Sequence, residues 1–391
     1  MNVSKFVVTP LLLVLAAPLA VFAQGASAIQ VNHITIPYHG DPALVDSQSA
    51  ARLSIPTWKS SIVVGGKTYP YRMIGADPSI VVKNNSISIP TPVIPVVLVF
   101  SDGTVFDPTA ADPTCSPAGT AKDLTLASPV FANRAWQPGG TSVGNVQYID
   151  FFQRANFWKY TQPTGVNPNY HLTFNPSVTF SLQITVPKAF GYTQSGGWCG
   201  KIGIMDIVWF DNHVQKTIIP MLAASGVDPT TLPVFLFYNV VMAFAPITNP
   251  SNCCILGYHS AYSNPAFGNH FQAYMVSEHD STGAFGKGNE DVSTLTHELG
   301  ETVDDPTGLN PTPPWGNIGQ VAGCQANLEV GDPLSNTVLS IVMPNGFKYH
   351  VQELAFFSWF FGQTPSIGLN GWYSSNGSFK TPAAPCGPSA K

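Results

Sequence analysis

The sequence predicts a mixed α/β fold of the α+β kind: a mixed sheet backed by one long helix, a second helix carrying polar residues, and a strand-rich region in front. Three observations lead there. β-branched and alternating runs fill the first part of the chain. An apolar repeat near 3.6 residues runs over 202–224. Further strand-like runs follow, and then a second helical segment at 291–304, an order that suits packed layers of sheet and helix.

Taken in order, Lys5 precedes an apolar stretch over 11–22, interrupted by Pro18 and followed by small residues. This reads as an export signal over residues 1–23, cleaved before Gln24, or alternatively after residue 28. The stretch is shorter than the roughly 20 residues a membrane span needs. Residues 24–124 form the β-rich N-terminal region. Within it 31–36 alternates, 61–64 ends at Gly65-Gly66, and 93–100 closes at Asp102-Gly103. A Pro-, Asp- and Thr-rich loop over 107–120 reads either as the boundary to residues 125–391 or as a long surface connection. There, 148–160 is aromatic-rich and helical, and 174–187 alternates. The long helix is expected over 202–224, where Ile204, Ile207, Val208, Val214, Ile218 and Leu222 recur. Residues 233–241, 255–259 and 271–276 read as strands. The last helix, 291–304, is stopped by Pro306 and Gly308. The most apolar later stretch, 232–246, contains Asn239 and reads as buried strand, so no membrane span is expected.

Composition removes several function classes. Of 391 residues only 10% are charged, with 17 Lys+Arg against 22 Asp+Glu, where an ordinary soluble domain has about 25%. Four Arg and a net charge of −5 do not make the basic stripe that a nucleic-acid backbone demands. An apolar content of 44% is too high for a disordered chain. The six cysteines include no C-x-x-C pair, and an even count in an exported chain favours disulfides. The expected pairs are Cys115 with Cys199 and Cys324 with Cys386, leaving Cys253 and Cys254 to pair with each other or stay reduced. Oligomeric state is left open by the sequence.

The chemistry concentrates in Ser293-Thr-Leu-Thr-His-Glu-Leu-Gly-Glu-Thr-Val-Asp-Asp-Pro306. His297 and Glu301 are four apart and share one helix face, so a single metal ion can take a nitrogen and a carboxylate oxygen from one helix. Glu298 sits about 100° round the helix, placed to act on a metal-bound water as general base. In this charge-poor chain the acids Glu290, Asp291, Glu298, Glu301, Asp304 and Asp305 crowd one segment. The nearest cation is Lys287, so a divalent ion would supply the missing charge.

The H-E-x-x-E segment 297–301 resembles the H-E-x-x-H helix of the zincin metallopeptidases, with the second His replaced by a carboxylate. Thr296-His-Glu-Leu-Gly-Glu-Thr-Val-Asp-Asp-Pro306 further resembles a bacterial group of secreted proteins that share S-H-E-x-A-E-x-x-T-D-P and a later E-I-G-D segment. Plant exordium-like, phosphate-induced proteins are similar over the same stretch. Trp315, Glu329-Val-Gly-Asp332 and Gly144-Asn-Val-Gln-Tyr-Ile-Asp-Phe-Phe-Gln-Arg-Ala-Asn-Phe-Trp158 belong to that likeness. Gly300 and Asp304 depart from it at the usual Ala and Thr. The resemblance implies a secreted protein with a metal helix in a zincin-like mixed sheet.

The metzincin third ligand is ruled out, because Asp304 and Thr307 stand where its Gly and His belong. A gluzincin-like arrangement makes Glu329 the ligand with Asp332 orienting His297, or the reverse. The expected cofactor is one divalent ion, zinc first, with manganese, iron and calcium open. His259 and His350 are candidate donors to a developing oxyanion. The resulting expectation is a secreted metallopeptidase acting on a peptide or protein substrate, with water activated by Glu298. The rival is a non-catalytic extracellular or wall-associated binding protein with a structural metal. A structural ion would be closed by four protein ligands, whereas a catalytic one keeps an open position.

Overall fold

The computed structural model describes residues 31–81, 85–178, 180–196 and 198–387. The export signal expected at residues 1–23 lies outside them. The framework is an 11-stranded mixed sheet. Its main path runs Gly191–Ser195, Lys201–Asp206, Val240–Ala243, Cys253–Asn264, His270–His279, Val234–Tyr238, Ser86–Val99 and Val105–Phe106. Three strands join from the side. Asn32–Ile36 pairs with Cys253–Asn264, and His171–Ser177 and Leu182–Thr185 both pair with Ser86–Val99. Strands from both sides of the boundary expected near residue 124 therefore lie in one sheet.

Period-two alternation sends the central strands' side chains to two separate cores. Val234, Leu236, Ala273 and Met275 face one layer, and Phe235, Phe237, Tyr274 and Val276 the other. The helix Ser293–Asp304 covers the first face through Leu295, Leu299 and Val303. These three follow one another at four-residue steps and so share one helical face. Burying each is worth about 1.5–3 kcal/mol.

The second face is covered by a shorter helical stretch than expected. The strand Lys201–Asp206 takes the first residues of the 202–224 repeat, and helix begins only at Ile207. Two features place that break. Ile202 and Ile204 flank Gly203, whose missing Cβ would meet Phe100 at 2.7 Å and Val240 at 2.9 Å, so this segment fits as a close-packed strand. The Asp206 carboxylate then accepts from Trp209 N and caps the helix. Helix continues through a π-helical turn, Val214–Ile218, to Leu222. Ile207, Phe210, Val214, Ile218 and Leu222 pack on the second face.

All six cysteines are bonded, in the expected pairs Cys115–Cys199 and Cys324–Cys386 and in the adjacent pair Cys253–Cys254. No helix among the described residues is long and apolar enough to cross a membrane.

Candidate metal centre

Four elements bring the polar groups together. The helix Ser293–Asp304 contributes His297, Glu298 and Glu301, all fully buried. The parallel strands Asn32–Ile36 and Cys253–Asn264 run beneath it, with His33 opposite Gly257 and Thr35 opposite His259. His33 and Thr35 are two apart and so share a strand face. A Cβ at Gly257 would stand 2.6 Å from Thr294 Cγ2 and 2.9 Å from Glu298 Cγ, so glycine lets the helix settle onto this strand. Asp332 comes from the segment following the hairpin Pro311–Ile318/Val321–Asn327. Gly300 has the same explanation as Gly257. A Cβ there would lie 2.5 Å from Leu354 Cδ1.

Around His297, Nε2 lies 3.0 Å from Glu301 Oε1 and 3.5 Å from Asp332 Oδ1. Neither approach has hydrogen-bond geometry, and Nε2 is a buried atom without a hydrogen-bond partner. The other ring nitrogen, Nδ1, is 3.1 Å from Gln352 Oε1, and the Gln352 amide is oriented by its Nε2 donating to Gly331 O at 2.7 Å. Nδ1 therefore carries a proton, and whenever the ring is neutral its Nε2 lone pair is turned toward two carboxylates. Asp332 is held in turn by the amides of Gln320 and Gln325, the latter at 2.9 Å. Gln320 also brackets the His33 backbone, accepting from its N at 2.9 Å and donating to its O at 2.8 Å.

A second knot surrounds Glu298. Its Oε1 is 3.2 Å from His33 Nδ1, and its Oε2 is 3.3 Å from His259 Nδ1. Glu301 Oε2 is 3.6 Å from the same His259 nitrogen. The His33 ring stacks on His297 with centroids 3.8 Å apart, and its Nε2 is buried and unpartnered.

The electrostatics call for positive charge. Burial works against a protonated His297, yet the surrounding carboxylates, Glu301 foremost, outweigh it and hold the ring well above its usual pKa. Burial raises Glu298 and Glu329 well above the carboxylate range and lifts Asp332 to about 6, with Glu301 adding to all three. For Glu301 burial is outweighed by His297, and the carboxyl falls below its ordinary value. Burial lowers His33, helped by His297, and takes His259 to about 4.

Among the described residues, three overlapping groups could hold a metal ion: His297 with Glu301 and Asp332, His259 with Glu298 and Glu301, and His33 with His297 and Glu298. In each, the ligand atoms lie within 4.8 Å of one another. The donor set fits a divalent cation, because imidazole with carboxylate oxygens suits zinc and harder ions alike.

The cluster borders a cavity of about 350 Å³ lined by His33, Thr35, Glu301, Gln320, Glu329 and Asp332 among others. Three expectations change against this geometry. Glu298 is 0 % exposed and does not line the cavity, because His33 and His259 enclose its carboxylate. His259 is equally withdrawn: Thr35 takes Nε2 at 3.4 Å, and Nδ1 faces Glu298 and Glu301, so neither nitrogen is free to meet a substrate. His350 belongs elsewhere, paired to Asp291 at 2.7 Å beside a different cavity, because the strand Lys348–Gln352 turns it toward the start of the helix. Glu329 does line the cavity, with Oε1 accepting from Thr35 at 2.8 Å and Asn327 at 2.7 Å, but it belongs to none of the three groups.

Sequence reasoning missed His33, Thr35, Gln320, Gln325 and Gln352. The one available signal was His33 and Thr35 alternating with Ile34 and Ile36, which gives an apolar strand a polar face. No protein-family model, curated protein or solved structure matches this chain.

Proposed function

We propose that this protein is a secreted, zincin-like metal-dependent hydrolase that cleaves peptide bonds in a peptide or protein substrate. The supporting observation is His297, whose Nδ1 meets Gln352 and whose Nε2 faces Glu301 and Asp332, two carboxylates that line a cavity. His297, Glu301 and Asp332 would hold the ion, with zinc the expected metal. When bound, such an ion polarises a carbonyl and acidifies water.

The chain's own contribution centres on His33. It lines the cavity, and Glu298 accepts from its Nδ1, which leaves Nε2 as the basic atom. Burial and the neighbouring His297 lower its pKa and keep that ring neutral. Glu298 then stabilises the imidazolium through Nδ1, the carboxylate–imidazole logic of hydrolytic sites. His33 returns the proton to the leaving amine. The cavity shares Gln320, Val321 and Ala322 with a neighbouring one of about 800 Å³, which suits an extended substrate.

The test is His33→Gln in the zinc-loaded full chain, assayed on a broad peptide library. Cleavage should fall roughly 10²-fold or more, the size of a general-base contribution, while zinc at His297 is retained. Unchanged cleavage would remove His33 from the mechanism. No cleavage by any loaded form, with metal bound, would favour the structural-metal reading.

A further inference from the structure

We propose that the centre is built for two cations, bridged by Glu301. The inference rests on the metal-site reading above but does not depend on hydrolysis. It starts from a repeated arrangement. At His297, a neighbouring acceptor takes the proton of one ring nitrogen and the other faces two carboxylate oxygens. His259 repeats this with different partners.

Thr35 Oγ1 has one proton and donates it to Glu329 Oε1 at 2.8 Å. Toward His259 Nε2, 3.4 Å away, the same oxygen can therefore only accept. Nε2 carries the hydrogen, and His259 Nδ1 is a lone pair. That lone pair faces Glu298 Oε2 at 3.3 Å and Glu301 Oε2 at 3.6 Å. Two carboxylates and an imidazole lone pair in a buried site repel one another unless a cation or a proton lies among them.

Glu301 belongs to both arrangements through different oxygens. Oε1 is 3.0 Å from His297 Nε2, while Oε2 is 3.6 Å from His259 Nδ1. A carboxylate that gives one oxygen to each of two nitrogen–carboxylate sets is a bridging ligand. The first cation takes His297, Glu301 and Asp332, and the second takes His259, Glu298 and Glu301. Glu298 keeps its other oxygen on His33. Paired ions of this kind, about 3.5–4 Å apart, recur in hydrolytic sites.

The test is zinc stoichiometry of the full chain by native mass spectrometry, paired with electron paramagnetic resonance of the cobalt-loaded protein. Two zinc ions per chain and a spin-coupled cobalt pair are expected. Thr35→Val keeps the side-chain shape and removes the oxygen that fixes His259. It should weaken the second zinc about 10- to 100-fold and leave the first unchanged, the usual cost of losing such a partner. One zinc per chain, or two uncoupled cobalt ions, overturns the proposal. A single zinc with cleavage intact leaves the hydrolase reading standing and means that a proton sits between His259 and Glu298. Absence of any bound zinc defeats both.

Discussion

Gln352 fixes the tautomer of His297. Its amide nitrogen donates to Gly331 O at 2.7 Å, which leaves Oε1 as the acceptor for His297 Nδ1–H at 3.1 Å. The ring's basic nitrogen is thereby directed at Glu301 and Asp332. Gln352→Leu removes the acceptor while keeping similar bulk. Zinc affinity, measured by competition with a chromophoric chelator, should drop about 10- to 100-fold. Unchanged affinity would mean that the tautomer is set by something else.

Gly331 supports the same ring by occupying little space. A Cβ there would lie 2.5 Å from His297 Nδ1 and 2.6 Å from Cγ. Gly331→Ala must push the imidazole away from the position that Gln352 gives it. The strain should cost about 1–3 kcal/mol in chemical denaturation, and zinc binding should weaken more than Gln352→Leu weakens it. A variant as stable and as zinc-avid as the parent would contradict the packing argument.

The end of the helix Ser293–Asp304 makes stability depend on pH. Asp304 accepts from Gln153 and from Asn156 at 3.2 Å, but burial dominates and lifts its pKa from 3.8 to about 7. The folded chain holds a proton that the unfolded chain releases, so this contribution is complete below about pH 3.8 and is lost as pH rises through about 7. Asp304→Asn should therefore flatten the loss of stability between pH 5 and pH 8, measured by denaturant midpoints with chelator present. An equal slope in the variant would refute the assignment.

Two disulfides close long loops, with partners 84 residues apart for Cys115–Cys199 and 62 apart for Cys324–Cys386. The chain-entropy model gives each about 4.5 kcal/mol. Replacing either pair by serines should lower the thermal midpoint by several degrees or more. A midpoint unchanged in both double variants would show that the loops are tied down by other contacts.

Much of the site's helix was legible in the sequence, and much of its surroundings was not. The helix around His297 could be found because ligand spacing within one helix is local, and Asp332 because Glu329-Val-Gly-Asp332 is a compact acidic motif. His33 meets Glu298 only through parallel pairing of Asn32–Ile36 with Cys253–Asn264, more than two hundred residues away. No local pattern encodes such a pairing. Gln320, Gln325 and Gln352 were invisible for another reason: amides act here by orientation, which composition and spacing do not carry. The helix over 202–224 was misplaced at its start because Ile202 and Ile204 satisfy strand alternation as well as a helical repeat. The place of His350 was not legible because its partner, Asp291, is brought near by the strand Lys348–Gln352 and not by sequence proximity.

The proposed hydrolysis depends on a metal held by His297, Glu301 and Asp332. One peptide-library assay tests this on the purified full chain in three states: metal-stripped, zinc-restored, and zinc-restored Asp332→Asn. Cleavage is expected only in the restored parent, with zinc affinity and cleavage falling together in Asp332→Asn. Cleavage by the stripped protein, or full zinc binding and full activity in Asp332→Asn, would contradict it.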